Sequence, residues 1–289
     1  MFEFRSAIFV PGANEKMLSK VAGLDADLVL FDLEDSVHEN QKQIARELVS
    51  RWLSATRPSA QTFGVRLNSL DSQHFSDDLK QVLPAKPDLI MLPKVESGED
   101  LKQIDTLINQ VEVESGLELG STKLMILTAE TPGSLFRFDD LFNVSNRLVA
   151  MTWGAEDLAS ELGAVRGRDE SGKWLPPFQL AQTLCLAKAR DLRVQAIDTV
   201  MADFKDADGL RQDCIASKDI GFTGKLAIHP AQLEIINQVF SPSEQEIDFA
   251  RRVIELFESN PNVGVLQLDG AMVDIPHLRA AERLLRRAK

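Results

Sequence analysis

Asp32, Glu34 and Asp35 follow the apolar stretch "LVLF" almost at once, and Glu130 and Asp157 follow two further apolar runs, "KLMIL" and "RLVAM". Like charges gathered in one place repel one another and call for a counter-cation. Oxygen ligands suit a hard cation, and Mg2+ takes one or two carboxylates together with waters and substrate oxygens. Zinc would want thiolates or imidazoles, and no His or Cys cluster lies near these acids. Taken singly, each acid could instead cap the helix that follows it, a common task at a strand-to-helix turn.

Two cations share the pattern. Arg66 interrupts the apolar "GVRLN" and Lys94 follows "LIMLP". A cation in a buried strand is costly unless paired. Either residue could neutralise a neighbouring acid, while the planar fork of Arg66 could also grip a substrate carboxylate with two hydrogen bonds. His229 in "AIHP" reads as a packed or capping residue, and Asp32 as structural. Ser6, Ser36 and Ser134 have no recognisable nucleophile setting, which disfavours a Ser-His-Asp hydrolase. A divalent cation beside an arginine fits an anionic substrate with chelating oxygens, such as a 2-oxo or hydroxy acid. The metal would polarise a carbonyl and stabilise a developing enolate or alkoxide. Carbon–carbon bond cleavage or formation is the natural reaction class, with enolisation and phosphoryl transfer left open.

The elements that must position these residues are short apolar runs alternating with amphipathic segments. The runs are 6–10, 27–31, 63–67, 88–92, 123–127, 147–151, 194–198 and 225–229, each continuously apolar as in parallel strands covered on both faces. Stretches 14–24, 40–54, 97–115 and 178–191 have helical spacing. Eight strand-then-helix units predict a (β/α)8 TIM barrel over 1–240, and the polar strand ends would all open onto its catalytic face. An open doubly wound sheet is the alternative, but no GxGxxG follows the first strand. Beyond it, 241–289 reads as a C-terminal extension: a helix opened by the capping box Ser243/Glu246, an extended "VLQLDGAMVDIP", and a final amphipathic helix.

The bulk numbers narrow the partners. The chain has 289 residues, 44% hydrophobic and 26% charged, ordinary for a globular enzyme. A formal charge of -12 argues against electrostatic binding to nucleic acid or an anionic membrane. Cys185 and Cys214 have neither metal nor disulfide spacing and read as buried packing residues. There is no signal-like N-terminus and no run long enough to span a bilayer, so a cytoplasmic location is expected.

In order along the chain, "RSAIFVPGAN", "LVLFDLEDSV", "VRLNSLDS", "LPKVES", the Glu of "TAETPG", "WGAEDLASELG", "AIDTV", "LAIHP" and "DGAMVDIP" resemble the citrate lyase β-subunit and malyl-CoA lyase family, part of the HpcH/HpaI aldolase superfamily. The resemblance runs over nearly the whole chain. It implies a Mg2+-dependent (β/α)8 lyase acting on malyl-, citramalyl- or citryl-type thioesters. Its products would be an acetyl thioester and a 2-oxo acid such as glyoxylate, pyruvate or oxaloacetate. It makes Glu130 and Asp157 the metal ligands, gives Glu34 and Asp35 the metal-bound waters, and sets Arg66 on the oxo-acid carboxylate. Phe9, Lys16 and Lys20 fall where relatives contact CoA, although some relatives carry a Tyr at the Phe9 position and this chain has none. Asp274 matches an acid/base residue placed in a neighbouring subunit's site, which implies a homo-oligomer, a trimer or hexamer; from the residues alone it would be a surface turn residue before Pro276.

Two departures, "AETPGSLF" and "LAIHP", leave the acid substrate open. So do three competing readings. The chain could be the β-subunit of a citrate lyase complex acting on an acyl carrier protein thioester. It could be a metal-dependent aldolase of free 2-oxo acids, or a silent binding protein on the same barrel.

Overall fold

The computed structural model describes residues 3–55, 58, 61–141 and 145–288. It divides into two compact units, Met1–Asn237 and Gln238–Lys289.

The first unit is built on eight parallel strands: β1 (Ser6–Pro11), β2 (Leu28–Asp32), β3 (Thr62–Arg66), β4 (Leu89–Leu92), β5 (Lys123–Thr128), β6 (Leu148–Trp153), β7 (Gln195–Asp198) and β8 (Gly224–Ala227). Each pairs with its neighbour, and β1 pairs with β8 through Ser6 and Lys225, so the sheet closes into a (β/α)8 barrel rather than an open sheet. Alternate strand residues, among them Ala7, Leu28, Leu30, Leu89, Met91, Met125, Leu127, Ala150, Ile197 and Leu226, form one buried apolar cluster inside it. The other residues of each strand face the helical layer, which explains the unbroken apolar runs in the sequence. Gly64 takes an interior position where a Cβ would lie 2.7 Å from Leu89 Cδ1, so the side chain of β3 that reaches the barrel's interior at this level belongs to the next alternate residue, Arg66.

The covering helices are α1 (Glu15–Leu18), α2 (Lys42–Ser54), α3 (Phe75–Val82), α4 (Gly98–Glu114), α5 (Ala155–Leu162), α6 (Pro176–Asp191), α7 (Ala207–Ile220) and α8 (Leu233–Phe240). In α2, Ala45, Val49 and Leu53 recur every four residues and are buried, the stripe an amphipathic helix turns to its core. The helix expected over 14–24 is shorter: α1 ends at Leu18, and a single 3-10 turn occupies Val21–Gly23. Val21 and Gly23 are poor helix formers, which suits the break. The eighth strand stops at Ala227, so Ile228 and His229 lie beyond it. His229 caps the turn Pro230–Gln232, accepting from the Ala231 N–H, and stacks on Phe204 at 4.4 Å.

In the second unit, α9 (Glu244–Glu258) begins at the Ser243/Glu246 capping box. A hairpin of β9 (Val265–Leu268) and β10 (Ala271–Asp274) turns through Asp269 and Gly270, both at positive φ, as a tight two-residue turn requires. Helix α10 (Ile275–Arg287) follows, and Ala250, Val253, Phe257, Val273 and Ala281 make the core of this unit. Cys185 and Cys214 are both free and buried in the first unit, and burial pushes each thiol up to about 12. Among the described residues no helix is long and apolar enough to cross a membrane.

Candidate active site

Strand register brings the first pair together. Asp32 and Arg66 are opposite residues at the C-terminal ends of β2 and β3. Arg66 donates from Nε to Asp32 Oδ1 and from Nη2 to Oδ2, both at 2.7 Å. Burial alone would raise the Asp32 carboxyl, but the Arg66 guanidinium outweighs it and holds Asp32 below the usual carboxylate range. The remaining Nη1 of Arg66 lies 3.0 Å from Glu34 Oε2 and 3.9 Å from Asp35 Oδ2. The guanidinium also sits over the Phe9 ring at 4.6 Å. Arg66 therefore fulfils the first use the sequence allowed, neutralising neighbouring acids: its Nε and Nη2 are taken by Asp32, and Nη1 lies beside Glu34.

Lys94 closes the next link. Its Nζ donates to Glu34 Oε1 at 2.8 Å and lies 3.9 Å from Asp157 Oδ1. Its backbone takes φ +53°, a left-handed conformation rare outside glycine, and its N–H donates to Glu130 Oε2. Ala129, next to Glu130, is left-handed too, at φ +55°. Such backbone is held only where its surroundings over-determine it, and it concentrates at functional sites.

Glu130 lies two residues past β5 and is 1% exposed. Its Oε1 has no hydrogen-bond partner among the described residues. Burial pushes its carboxyl well above the ordinary range, and the nearby acids Glu34 and Asp157 push the same way. Burial likewise raises Glu34 despite Arg66 and Lys94. Gly154 makes room for Glu130, because a Cβ there would stand 2.5 Å from Glu130 Cγ. Asp157, expected at the end of a strand, is instead in the first turn of α5, where "GAED" has already begun a helix; its side chain is 39% exposed. An acid in that turn complements the helix dipole, but Asp157 does not cap the helix: the N-cap is Gly154, and no side chain caps it.

Glu34, Glu130 and Asp157 thus meet around Lys94, with Asp35 more exposed beside Arg66. No group of three or more His, Cys, Asp or Glu forms a ready metal cage among the described residues. The arrangement still fits Mg2+, which needs only one or two protein carboxylates plus waters and substrate oxygens. A buried carboxylate oxygen without a donor is the group such a cation would satisfy.

The other expected residues are spread more widely. Phe9 is on β1, against Arg66, while Lys16 on α1 and Lys20 just after it are exposed. Asp274 belongs to the second unit. There it N-caps α10, accepting from the His277 N–H and sharing a 2.6 Å hydrogen bond with His277 Nδ1.

The sequence reading passed over the residues behind this wall. Trp153, the last residue of β6 and neighbour of Gly154, donates to Asp198 Oδ1 at 2.8 Å. Asp198 also accepts from Ser217 Oγ at 2.6 Å and Lys225 Nζ at 2.8 Å, all buried between barrel and helices. Burial would raise the Asp198 carboxyl, yet Lys225 holds it low. A polar residue inside an apolar run, as in "KLAIH" and "VQAID", was the available signal.

A closed barrel with carboxylates and cations gathered at its C-terminal mouth defines a class of barrel enzymes that handle anionic substrates with a hard cation. The family model for "HpcH/HpaI aldolase/citrate lyase" matches residues 5–230. The chain is 37% identical to a (3S)-malyl-CoA thioesterase of Cereibacter sphaeroides, covering 99% of this chain and 95% of the relative. It is 35% identical to the citrate lyase subunit beta of Escherichia coli, covering 99% and 93%. Among solved structures, it resembles the CitE protein of Mycobacterium tuberculosis in complex with magnesium, acetoacetate and coenzyme A. That match has a TM-score of 0.79 at 28% identity, over 98% of this chain and 97% of that one. The chain belongs to the HpcH/HpaI aldolase/citrate lyase family.

Proposed function

We propose that this protein is a Mg2+-dependent carbon–carbon lyase. It cleaves, or in reverse condenses, a hydroxy-acyl thioester such as malyl-, citramalyl- or citryl-CoA, giving a 2-oxo acid and an acetyl thioester. The observation that carries the reading is the buried Oε1 of Glu130, without a hydrogen-bond partner among the described residues, on a carboxyl that the nearby acids Glu34 and Asp157 push up. Relatives named for malyl-CoA and citrate lyase, and the magnesium and coenzyme A of the similar CitE structure, support it.

Bound Mg2+ would polarise the substrate's carbonyl or hydroxyl oxygen and stabilise the charge that develops there. Glu130 and Asp157 would hold the cation, and Glu34 and Asp35 its waters. Arg66 would orient the oxo-acid carboxylate through Nη1, its other edge being held by Asp32. Phe9, Lys16 and Lys20 would contact the CoA portion. Carbon–carbon cleavage requires a proton to leave the substrate hydroxyl and another to reach the thioester α-carbon. Asp274, supplied by a neighbouring subunit of a trimer or hexamer, would move a proton at that carbon.

The test is a panel of CoA thioesters assayed with Mg2+ and again after chelation. Release of glyoxylate, pyruvate or oxaloacetate with acetyl-CoA, abolished by the chelator, is expected. Absence of Mg2+-dependent binding of those oxo acids in calorimetry would sink the reading. Turnover only on an acyl carrier protein thioester would place the chain in a citrate lyase complex. The 37% identity to a malyl-CoA thioesterase favours one second reading, hydrolysis; free CoA with an intact hydroxy acid among the products would establish it.

A further inference from the structure

We infer that Lys42 is a positioning residue for Glu34, its buried ammonium clamping the backbone that carries this acid to the mouth of the barrel. Lys42 opens α2, outside the mouth, and is 8% exposed. An ammonium has three N–H groups, and all three are engaged. Nζ donates to the carbonyls of Leu33 and Glu34, each at 2.8 Å, and to Asn68 Oδ1 at 2.7 Å. These acceptors all lie on the loops that follow β2 and β3, immediately after Asp32 and Arg66.

The clamp has a second jaw. The Glu34 N–H donates to Asp32 Oδ1 at 2.9 Å. Glu34 is therefore held on one side through its amide and on the other through its carbonyl, and only its side-chain torsions stay free. That side chain then meets Lys94 Nζ at 2.8 Å and Arg66 Nη1 at 3.0 Å.

Asn68, the third partner, is itself fixed. Its backbone N–H and its side-chain amide both donate to Asp78 Oδ2, at 2.8 and 2.6 Å. Asp78 in turn accepts from Arg46 Nη1 at 3.0 Å. Arg46 is one helical turn beyond Lys42, so α2 grips the loops twice: directly through Lys42, and through Asp78 and Asn68. Donation by the Asn68 amide to Asp78 leaves its Oδ1 for Lys42.

A buried ammonium resting on neutral oxygens is an expensive way to gain stability, because its desolvation is repaid only by hydrogen bonds. What the arrangement delivers is geometry. Groups that orient the partners of a metal typically matter 10- to 100-fold in affinity or activity.

The inference rests on the proposed part of Glu34 at the Mg2+ site, and a double-mutant cycle separates the two. Lys42→Met, Glu34→Gln and the double variant are compared by kcat, by KM for the CoA thioester, and by Mg2+ affinity from calorimetry without substrate. Near-UV circular dichroism monitors the fold. Lys42→Met is expected to lower kcat by about 10- to 100-fold and to weaken Mg2+ binding, with the KM for the thioester unchanged. In the Glu34→Gln background the same change should add almost nothing, since groups acting as one unit are not additive.

A folded Lys42→Met with unchanged kcat and Mg2+ affinity overturns the inference. So do equal losses in both backgrounds, the mark of general destabilisation. Lys42→Gln, which keeps a donor in the buried space, runs through the same cycle under the same criteria should Lys42→Met not fold. Failure of the site reading shows elsewhere, as Mg2+ binding and turnover unchanged in Glu130→Gln.

Discussion

Asp32 and Arg66 face one another across β2 and β3 and share two hydrogen bonds of 2.7 Å, one at each carboxylate oxygen. With side-chain exposures of 1% and 11%, the pair is shielded from water, and Arg66 is the one cation that Asp32 is seen to pair with among the described residues. Asp32 also accepts the N–H groups of Glu34 and Ser36, so one carboxylate holds both the arginine and the acidic turn.

Replacing Asp32 by Asn should therefore be felt in stability as well as turnover. Removing one partner of a buried ion pair costs on the order of 3 to 5 kcal/mol; Glu34 stays 3.0 Å from Nη1, but Nε and Nη2 lose the charge they donate to. Urea unfolding of Asp32→Asn should show a loss of this order. A loss under about 1 kcal/mol would mean that Glu34 and Asp35 suffice to compensate Arg66, and the pairing with Asp32 would lose its importance.

Glu130→Gln should separate stability from function. A neutral amide fits the space of a buried carboxylate without its desolvation penalty, so the variant should be at least as stable as the parent in EDTA. Mg2+ should no longer raise its melting temperature, and turnover should drop by at least the roughly 100-fold that is the upper range for groups that only orient a metal's ligands. A retained Mg2+-dependent thermal shift would remove Glu130 from the ligand set.

Acid sensitivity should trace partly to Glu112 on α4. Burial alone would raise its carboxyl, but Arg147 and the N–H groups of Thr122 and Gly120 bring it from 4.5 down to about 2. A depressed carboxylate contributes stability above its unfolded value and loses that contribution as pH falls toward the folded one. The window here is about pH 4.5 to 2, and the full contribution is on the order of 3 kcal/mol. Unfolding of Glu112→Gln measured at pH 6 and near pH 2.5 should differ from the parent strongly at the first and weakly at the second. A gap that does not narrow in acid would contradict the assignment.

Asp274 has two proposed duties that different substitutions separate. Asp274→Asn keeps an N-cap oxygen for α10, whereas Asp274→Ala loses it at about 1 kcal/mol. Both should lower turnover by roughly 100-fold or more while leaving Mg2+ binding intact, because neither can exchange a proton. An active Asp274→Asn with an impaired Asp274→Ala would reduce Asp274 to a helix cap.

The barrel was legible because its strands are buried on both faces, leaving apolar runs that length alone distinguishes from helices. The acids were legible as departures from those runs, and Arg66 as a cation where none belongs. Lys42 was not, since its partners are mostly backbone carbonyls and a lysine opening a helix looks like any solvated one. The backbone of Lys94 was hidden as well, because nothing in "LPK" signals a left-handed residue. Asp157 was placed on a strand by its distance from "RLVAM", whereas Gly154 ends the strand and starts the helix.

Closure of the sheet between β1 and β8 has a consequence for how the molecule comes to exist. The groups that gather at the mouth are scattered from Phe9 to Asp157, and the sheet that aims them becomes a ring only when Ser6 meets Lys225. Contacts between such distant parts of a chain form slowly and late. A nascent chain released before residue 224 could build most of the helical layer, yet it would lack the strand that completes the ring. A complete barrel is therefore a condition for the chemistry, and any fragment that ends before β8 should be silent.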